Sequence, residues 1–576
     1  MIRKFPPCCV HAGSSPYFCV FFLIAFIVSC GSERPVDFAV YGNGAQARAY
    51  GKAAAGGILD FKNPKKFEYN YLPGPDAAAS SLASLELEYS FSSPPSAEIK
   101  SSYQLVFESE GESWLLPMDF EFAGIDQRDT HNAVFHYAIP VRHYSSRQQF
   151  SITLLSPETQ EKNADQLPAF QIRSLELKER WYGFFSTRSA GNAHFFASPF
   201  VYARANSQLS YVIDPPLKFL PDSGFPVQQA ALSLERDPGA RISLSYADGS
   251  LEALPGSAAL SVSGAFFQNA PFPLELTGAL SGFELRFAEP PAFPQPVPAD
   301  PGLVLSWPEE NWRDRRYEVF RWDRFPSLLI FDTADYAAQD RLFKRLAFFV
   351  EKAGFRGRLA SDAEIAELHG WNAHDYRADD LAAFFEAARI SNFPLLREER
   401  ELQAILLGQG IIRSGSGGAI SGGSGGVISI SRESQDYLRS QFMAHEGFHG
   451  LFFIDEDFRA FSRERWLTLP RQDRRFITSY FDFQRYDIAD EYLLINEFMA
   501  HILQQPAHRA AAYFGETLPR RLESSPWRRP ALGEKDEASD SWPALAAAFT
   551  REAQAFSGYV NTRWGLSGGR VWLVVR

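Results

Sequence analysis

The hydrophobic pattern of this chain changes period at one place, a proline-rich stretch at residues 289–302. Before it, apolar and polar residues alternate in LELEYSF (85–91), IKSSYQLVFES (99–109), SWLLPMDFEF (113–122) and NAVFHYAIPV (132–141). QFSITLLS (149–156) and FQIRSLELKE (170–179) continue the pattern. A period of two between turn residues marks half-buried strands. Residues 240–254 and 280–290 read as hairpins, with Asp248-Gly249 where a two-residue turn belongs. After the prolines, strand-like and helix-like runs alternate. A chain of 576 residues is too long for one core, and the switch of period shows where to divide it. The expected fold class is multidomain. All-β, β-sandwich-like modules at 67–190 and 191–300, the second ending in the proline linker, precede an α/β and then mostly helical domain at 301–576.

The four cysteines, Cys8, Cys9, Cys19 and Cys30, all fall in the first thirty residues. Arg3 and Lys4 precede an apolar run at 17–28, and Ser29-Cys30-Gly31 follows. A basic start, a short apolar region and a small residue before the cut predict an export signal at 1–29, too short for a spanning helix. Ile27-Val28-Ser29-Cys30 resembles the lipobox of bacterial lipoproteins. The resemblance implies that Cys30 becomes the lipidated first residue, anchored at a bacterial outer membrane, cell surface or periplasmic face. Residues 30–66, small and rich in Gly and Ala, then read as a tether. A net charge of −12 and the absence of any basic run argue against a nucleic-acid partner.

In the second half, 327–331 (SLLIF) reads as a buried strand. Asp332-Thr333 is placed to cap a helix carrying Leu342, Leu346, Phe349 and Val350 that Gly354 ends. The spacing Asp332-Thr333-Ala334-Asp335 is one residue too long for a phosphatase Asp-x-Asp. A further helix is expected at 378–389 and a strand at 402–407. The segment 414–426 has the glycine density of a phosphate-binding loop but no Gly-Lys-Ser/Thr, which excludes a P-loop. It reads as a flexible flap leading into the strand 427–431.

Next comes His445-Glu446-Gly447-Phe448-His449, an HExxH sequence in a helix expected over 433–453. Residues four apart share a helix face, so both imidazoles can reach one ion with Glu446 beside it. That pattern suits Zn²⁺, an activated water and a carboxylate general base. Tyr437, Phe442, Phe448, Phe452 and Phe453 are expected to bury this helix, and buried polar groups need partners. A catalytic zinc usually has three protein ligands. Asp455 stands where the metzincin pattern HExxHxxGxxH places its last ligand, but Phe452 occupies the position of the required glycine.

The other candidate is Glu497, in the helix-forming run 491–501. Asn496-Glu497-Phe498-Met499-Ala500 resembles the NExxA sequence on the glutamate helix of gluzincins, the thermolysin-like and aminopeptidase-like zinc peptidases. The resemblance implies a zincin-like metallopeptidase domain, with His445, His449 and Glu497 as ligands and Glu446 as general base. His501 and Asn496 become outer-shell candidates. The stretch 458–485, rich in Arg and aromatics, separates the two motifs and is placed to shape the cleft. Tyr480, Tyr486, Tyr492 and Tyr513 are candidate oxyanion donors, and the strand 427–431 a candidate edge for an extended peptide. His369 and His374 receive no role. The implied activity is hydrolysis of peptide or protein substrates by a membrane-anchored zinc enzyme. The competing reading is a surface binding lipoprotein with a degenerate peptidase lobe.

Overall fold

The computed structural model describes the backbone of strands lying between residues 36 and 213. It then describes residues 230–576, except 248, 268–273, 279, 288–290 and 524–537. The expected export signal, lipobox and Cys30 lie outside the described residues.

The alternating half forms sheets. One has six strands in the order Val36–Ala39, Gln46–Ala49, Phe67–Tyr71, Phe150–Leu155, Gln104–Ser109 and Glu112–Pro117. In the ten-stranded sheet, Tyr182–Ser189 pairs with both Asn192–Ala197 and Leu280–Phe287. That sheet therefore draws strands from both sides of residue 190, where one β module was expected to give way to the next. Four short strands between Val36 and Phe61 also enter these sheets, in the region expected as a tether. The expected hairpin at 240–254 is present as Ile242–Tyr246 with Gly249–Ala253; Asp248 is outside the described residues. The described part of the stretch expected as a second hairpin is not one. Leu280–Phe287 is one central strand between Ala230–Arg236 and Tyr182–Ser189. Leu232, Leu234, Leu260 and Val262 on one sheet and Ile242, Leu244, Leu274 and Leu276 on the other share one buried core, the sandwich geometry that period-two patterning favours.

The proline stretch is not a free linker. Val297–Ala299 forms the first strand of a five-stranded sheet, followed in space by Tyr317–Trp322, Leu328–Thr333, Gly426–Ser431 and His374–Arg377. Asp300 then caps the helix Pro301–Ser306 and also accepts N–H bonds from Leu573 (2.9 Å) and Val574 (3.2 Å). The C-terminal strand Val574–Val575 pairs with Gly249–Ala253, so the end of the chain clasps the β region to the second half.

Helices cover both faces of this sheet. Leu329, Phe331 and Val427 face the helices Tyr336–Val350, Ala378–Ile390 and Arg397–Gly408. Leu328, Ile330, Ile428 and Ile430 face Phe448, Leu451 and Phe452 of the HExxH helix, Asp436–Ile454. Multidomain mixed α/β architecture is therefore present. Several local expectations change. The strand expected at 402–407 lies inside the helix Arg397–Gly408, because Leu402, Ile405 and Leu406 are buried at helical spacing. Asp335, not Asp332, caps the helix Tyr336–Val350, accepting the Ala338 N–H. Asp332 is a strand residue held by two arginines.

The glycine-rich stretch forms a small hairpin, Ile412–Ser414 with Ile420–Gly422. Ile411, Ile412 and Ile420 belong to the core under the helix Ala378–Ile390, and Glu386 accepts the Ile420 N–H at 2.8 Å. It therefore lies on the sheet face away from the HExxH helix, and is no flap over that helix. The strand Gly426–Ser431 is interior, paired on both sides; the edge is His374–Arg377. No described helix is long and apolar enough to cross a membrane.

Candidate metal centre

The HExxH helix begins after Gln435, three residues later than its sequence suggests, because the Glu433 carboxylate turns aside to accept the Tyr336 N–H (2.8 Å). Tyr437 is 66% exposed and does not pack as expected. The helix is fixed to the sheet by a buried pair. Arg439 Nη1 and Nη2 donate to Asp332 Oδ1 and Oδ2 at 2.8 and 3.0 Å. Two to three turns further on, Gly447 and Gly450 allow close approach. A Cβ on Gly447 would stand 2.8 Å from Val571 Cγ2, and one on Gly450 3.0 Å from Leu328 Cδ1. These contacts seat the middle of the helix deep in the core, so that His445, Glu446 and His449 are all buried.

The helix Glu491–Leu503, capped by Asp490, packs against it and presents Asn496, Glu497 and His501, all buried. The two helices bring the predicted ligands together. His445 Nε2 and His449 Nε2 lie 3.1 Å apart. Glu497 Oε2 is 3.6 Å from the first and Oε1 3.7 Å from the second. Two nitrogens bound tetrahedrally at 2.0–2.1 Å from one zinc would be separated by about 3.3 Å. Glu446 Oε2 and Glu497 Oε2 are buried and have no hydrogen-bond partner. Such unsatisfied groups are costly unless something else binds them. The donor set fits a divalent cation, and His445, His449 and Glu497 could hold a metal ion.

The electrostatics agree. Glu351, Asp375, Glu446 and Glu497 influence one another's protonation. Burial pushes the Glu446 carboxyl well above its ordinary value, and the charges of Asp375, Glu497 and Glu351 push it further. Burial and the charge of Glu497 likewise raise Asp375, to about 8. Burial would raise Glu497 as well, but His449, His445 and His501 around it hold it down to about 2. The Lys352 ammonium lies near these carboxylates and is itself lowered to about 8 by burial. A bound cation inverts that balance, favouring the ionised carboxylates.

Asp375 is the residue of this cluster that its sequence context conceals. It sits on the edge strand His374–Arg377, with Oδ2 3.7 Å from His449 Nδ1, and forms a second convergent group with Glu446 and His449. Asn496 also lies against His449. Asp455, the alternative ligand, is turned away: it caps the helix Glu456–Thr468 through the Phe458 N–H and pairs with Arg563 at 2.6 Å. His374 bonds Tyr376 through Nδ1 at 2.8 Å, and burial lowers it to about 3.

The four tyrosines separate by environment. Tyr480 accepts from Gln484 and Arg521, Tyr513 bonds His501, and Tyr492 lies under the Arg377 guanidinium. Tyr486 stacks on Trp371, with ring centroids 5.1 Å apart. Burial, then the charges of Glu497, Glu351, Glu446 and Asp375, keep its hydroxyl protonated well above the ordinary range. The intervening stretch 458–485 is mostly two helices, Glu456–Thr468 and Arg471–Phe483.

No protein-family model matches the chain, and no curated protein matches it in sequence. Among solved structures, a xanthan lyase from Paenibacillus is similar at 10% identity with a TM-score of 0.14. The match covers 45% of this chain and 25% of the lyase, so the chain spans about a quarter of that protein's length.

Proposed function

We propose that this chain is a zinc-dependent peptidase of the gluzincin kind, exported and held on a bacterial membrane by a lipid on Cys30. One observation carries the reading. Two imidazole Nε2 atoms and a carboxylate from two buried helices converge, with Glu446 next to the first of them. His445, His449 and Glu497 would hold the ion, and zinc supplies a lowered water pKa and polarisation of a carbonyl.

The chain's own groups perform the rest. Glu446 accepts a proton from the attacking water and delivers it to the departing amine nitrogen. The edge strand His374–Arg377, paired only on its Gly426–Ser431 side among the described residues, can bind an extended peptide by main-chain hydrogen bonds. Its short length limits this to a few substrate residues. Tyr486, with its proton retained among the site carboxylates, is the donor best suited to the developing oxyanion.

Metal analysis of the purified full chain tests the reading. One zinc per chain, lost in His449→Ala, is expected. Glu446→Gln should keep the metal and stop cleavage of a peptide library. A wild-type chain that binds no zinc overturns the proposal. Incorporation of labelled fatty acid that disappears in Cys30→Ala tests the anchor.

A further inference from the structure

Where the helix Tyr336–Val350 ends, the chain runs beside the segment that follows the helix Arg471–Phe483. Ala353 donates its N–H to Arg485 O at 3.2 Å, Asp487 donates to Glu351 O at 3.3 Å, and Lys352 faces Tyr486 in an antiparallel bridge. Residues opposite one another in such a pairing present their side chains to the same face. Lys352 and Tyr486 therefore point together, and the Trp371 indole touches both. Its ring stacks on Tyr486 at 5.1 Å between centroids, and Lys352 Nζ stands 3.0 Å from the ring centre.

Lys352 is only 8% exposed, yet no carboxylate is spent on it. Glu351, its neighbour in the chain, turns Oε2 to the Trp371 Nε1–H at 2.7 Å instead. Among the described residues, none gives Nζ a hydrogen bond or an ion pair. An ammonium carries three donors and is strongly hydrated in water. The face of an indole attracts a cation but offers those hydrogens no lone pair. A buried donor left in this state is costly, so the group is suited to receive an acceptor from outside the chain. Burial lowers it only to about 8, so at neutral pH it remains an ammonium.

Its position indicates which acceptor. The charge of Lys352 reaches His374, the first residue of the edge strand, and the charge of Glu497 reaches Lys352. The ammonium thus stands near the end of the strand where an extended peptide would pair, on the same face as Tyr486. The main chain of such a peptide is satisfied by the strand, and what the peptide can bring to a cation is a carboxylate, through a charge-assisted hydrogen bond. The Arg485 guanidinium is close enough to add positive charge.

We propose that Lys352 is a specificity residue whose ammonium, held on the Trp371 ring beside Tyr486, binds a carboxylate of the peptide substrate. The inference rests on the peptidase reading above and names the kind of peptide the site takes. The carboxylate is the peptide's own C-terminus or an Asp or Glu side chain, which present the same group.

The test uses the full chain loaded with zinc and labelled hexapeptides free of Asp and Glu, each made with a C-terminal carboxylate and with an amide. A second set, all amidated, carries a single Glu or Gln at each position in turn. Carboxylate-bearing peptides should show a KM about tenfold or more below that of their amide counterparts, the scale of a hydrogen bond to a charged group. The change should fall on KM and leave kcat nearly alone, since a contact away from the reacting atoms binds ground and transition states alike. Discrimination in the first set identifies the C-terminus, and discrimination at one Glu position identifies a side chain. Lys352→Met keeps the buried stem and should abolish the discrimination with zinc content unchanged, while Lys352→Arg should retain most of it. Wild type that treats acids and amides alike, or a Lys352→Met chain that still separates them, overturns the proposal. Should Lys352→Met fail to fold, Lys352→Gln is read in the same way.

Binding separates this outcome from failure of the peptidase reading. The same peptides are titrated into the Glu446→Gln chain, with zinc or, if it takes up none, as it stands, and followed by fluorescence polarisation. The acid and amide forms should differ about tenfold in Kd, and adding Lys352→Met should remove the difference. Carboxylate-dependent binding without cleavage by wild type defeats the peptidase reading alone. Cleavage without carboxylate preference defeats the role of Lys352 alone, and a chain that neither binds nor cleaves defeats both.

Discussion

Asp375 faces the back of His449: its Oδ2 lies 3.7 Å from Nδ1, while the Nε2 of the same ring converges with His445 Nε2. His449 Nδ1 has no hydrogen-bond partner among the described residues; Asp375 behind it, and Asn496 against the same ring, are the groups placed to fix it. A carboxylate behind a ligating histidine sets its tautomer and raises its basicity, and removing one typically costs 10–100-fold in metal affinity. Asp375→Asn should therefore weaken zinc binding by about tenfold or more, measured by chelator competition. Unchanged affinity in a folded variant would show that the 3.7 Å approach has no bearing on the metal.

The pair Arg439–Asp332 ties the HExxH helix to the central sheet, with both residues almost fully buried. Taking away one partner of such a pair typically costs about 3–5 kcal/mol, because the other charge is left in the core. Arg432 Nε, 2.8 Å from Asp332 Oδ2, offsets part of that loss. Arg439→Met should lower the urea midpoint for unfolding and weaken metal binding, since the ligand helix loses its anchor. Adding Asp332→Leu should restore much of the midpoint. If the single variant is as stable as wild type, or the double variant is no better than the single, the anchoring role is refuted.

How far these features can be read from sequence depends on their range. His445, Glu446 and His449 share a helix face by local spacing alone, and Glu497 lies in an unbroken run of helix formers. Those four residues could be assembled before any tertiary structure was in view. Asp375 could not. Its strand has four residues, and its position depends on pairing with Gly426–Ser431, some fifty residues away. The run at 402–407 was ambiguous for another reason: a short apolar segment carries no period of its own, and the flanking Glu398 and Glu399 are the helix-start signal that resolves it. Nor could sequence show that Val574–Val575 returns to the β region, since a two-residue strand leaves no pattern.

A second carboxyl pair, buried Asp300 and half-buried Asp323, is remote in role from the candidate centre and gives a pH signature. Burial raises Asp300 to about 6, despite its three backbone N–H bonds and Arg324. Burial and then the charge of Asp300 raise Asp323 to about 7. Groups raised above their unfolded values bind protons more tightly in the folded state. The stability they contribute is complete below about pH 4, the ordinary carboxyl range, and is lost as pH rises through 6 and 7. Asp323→Asn removes one of these charges, so the melting temperature of the variant relative to wild type should rise between pH 4 and pH 7. Parallel curves across that interval would contradict the coupling.

Tyr486 is the last group whose role geometry narrows. Three of the four candidate tyrosines are engaged elsewhere: Tyr480 with Arg521, Tyr513 with His501 and Tyr492 beneath Arg377. Tyr486 alone among the four is raised chiefly by burial and then by the carboxylates of the centre, Glu497 first among them. A hydroxyl that keeps its proton in that field is suited to donate where negative charge develops. Such donors act mainly in the transition state, and losing one typically lowers kcat by about 10²–10³-fold. Tyr486→Phe keeps the ring that stacks on Trp371, so the fold and metal content should be preserved while kcat falls by about 10²-fold. KM should change little, because the ground-state carbonyl gains little from the bond. A Tyr486→Phe chain with undiminished kcat would leave the ring as packing for Trp371 and return the oxyanion role to another donor.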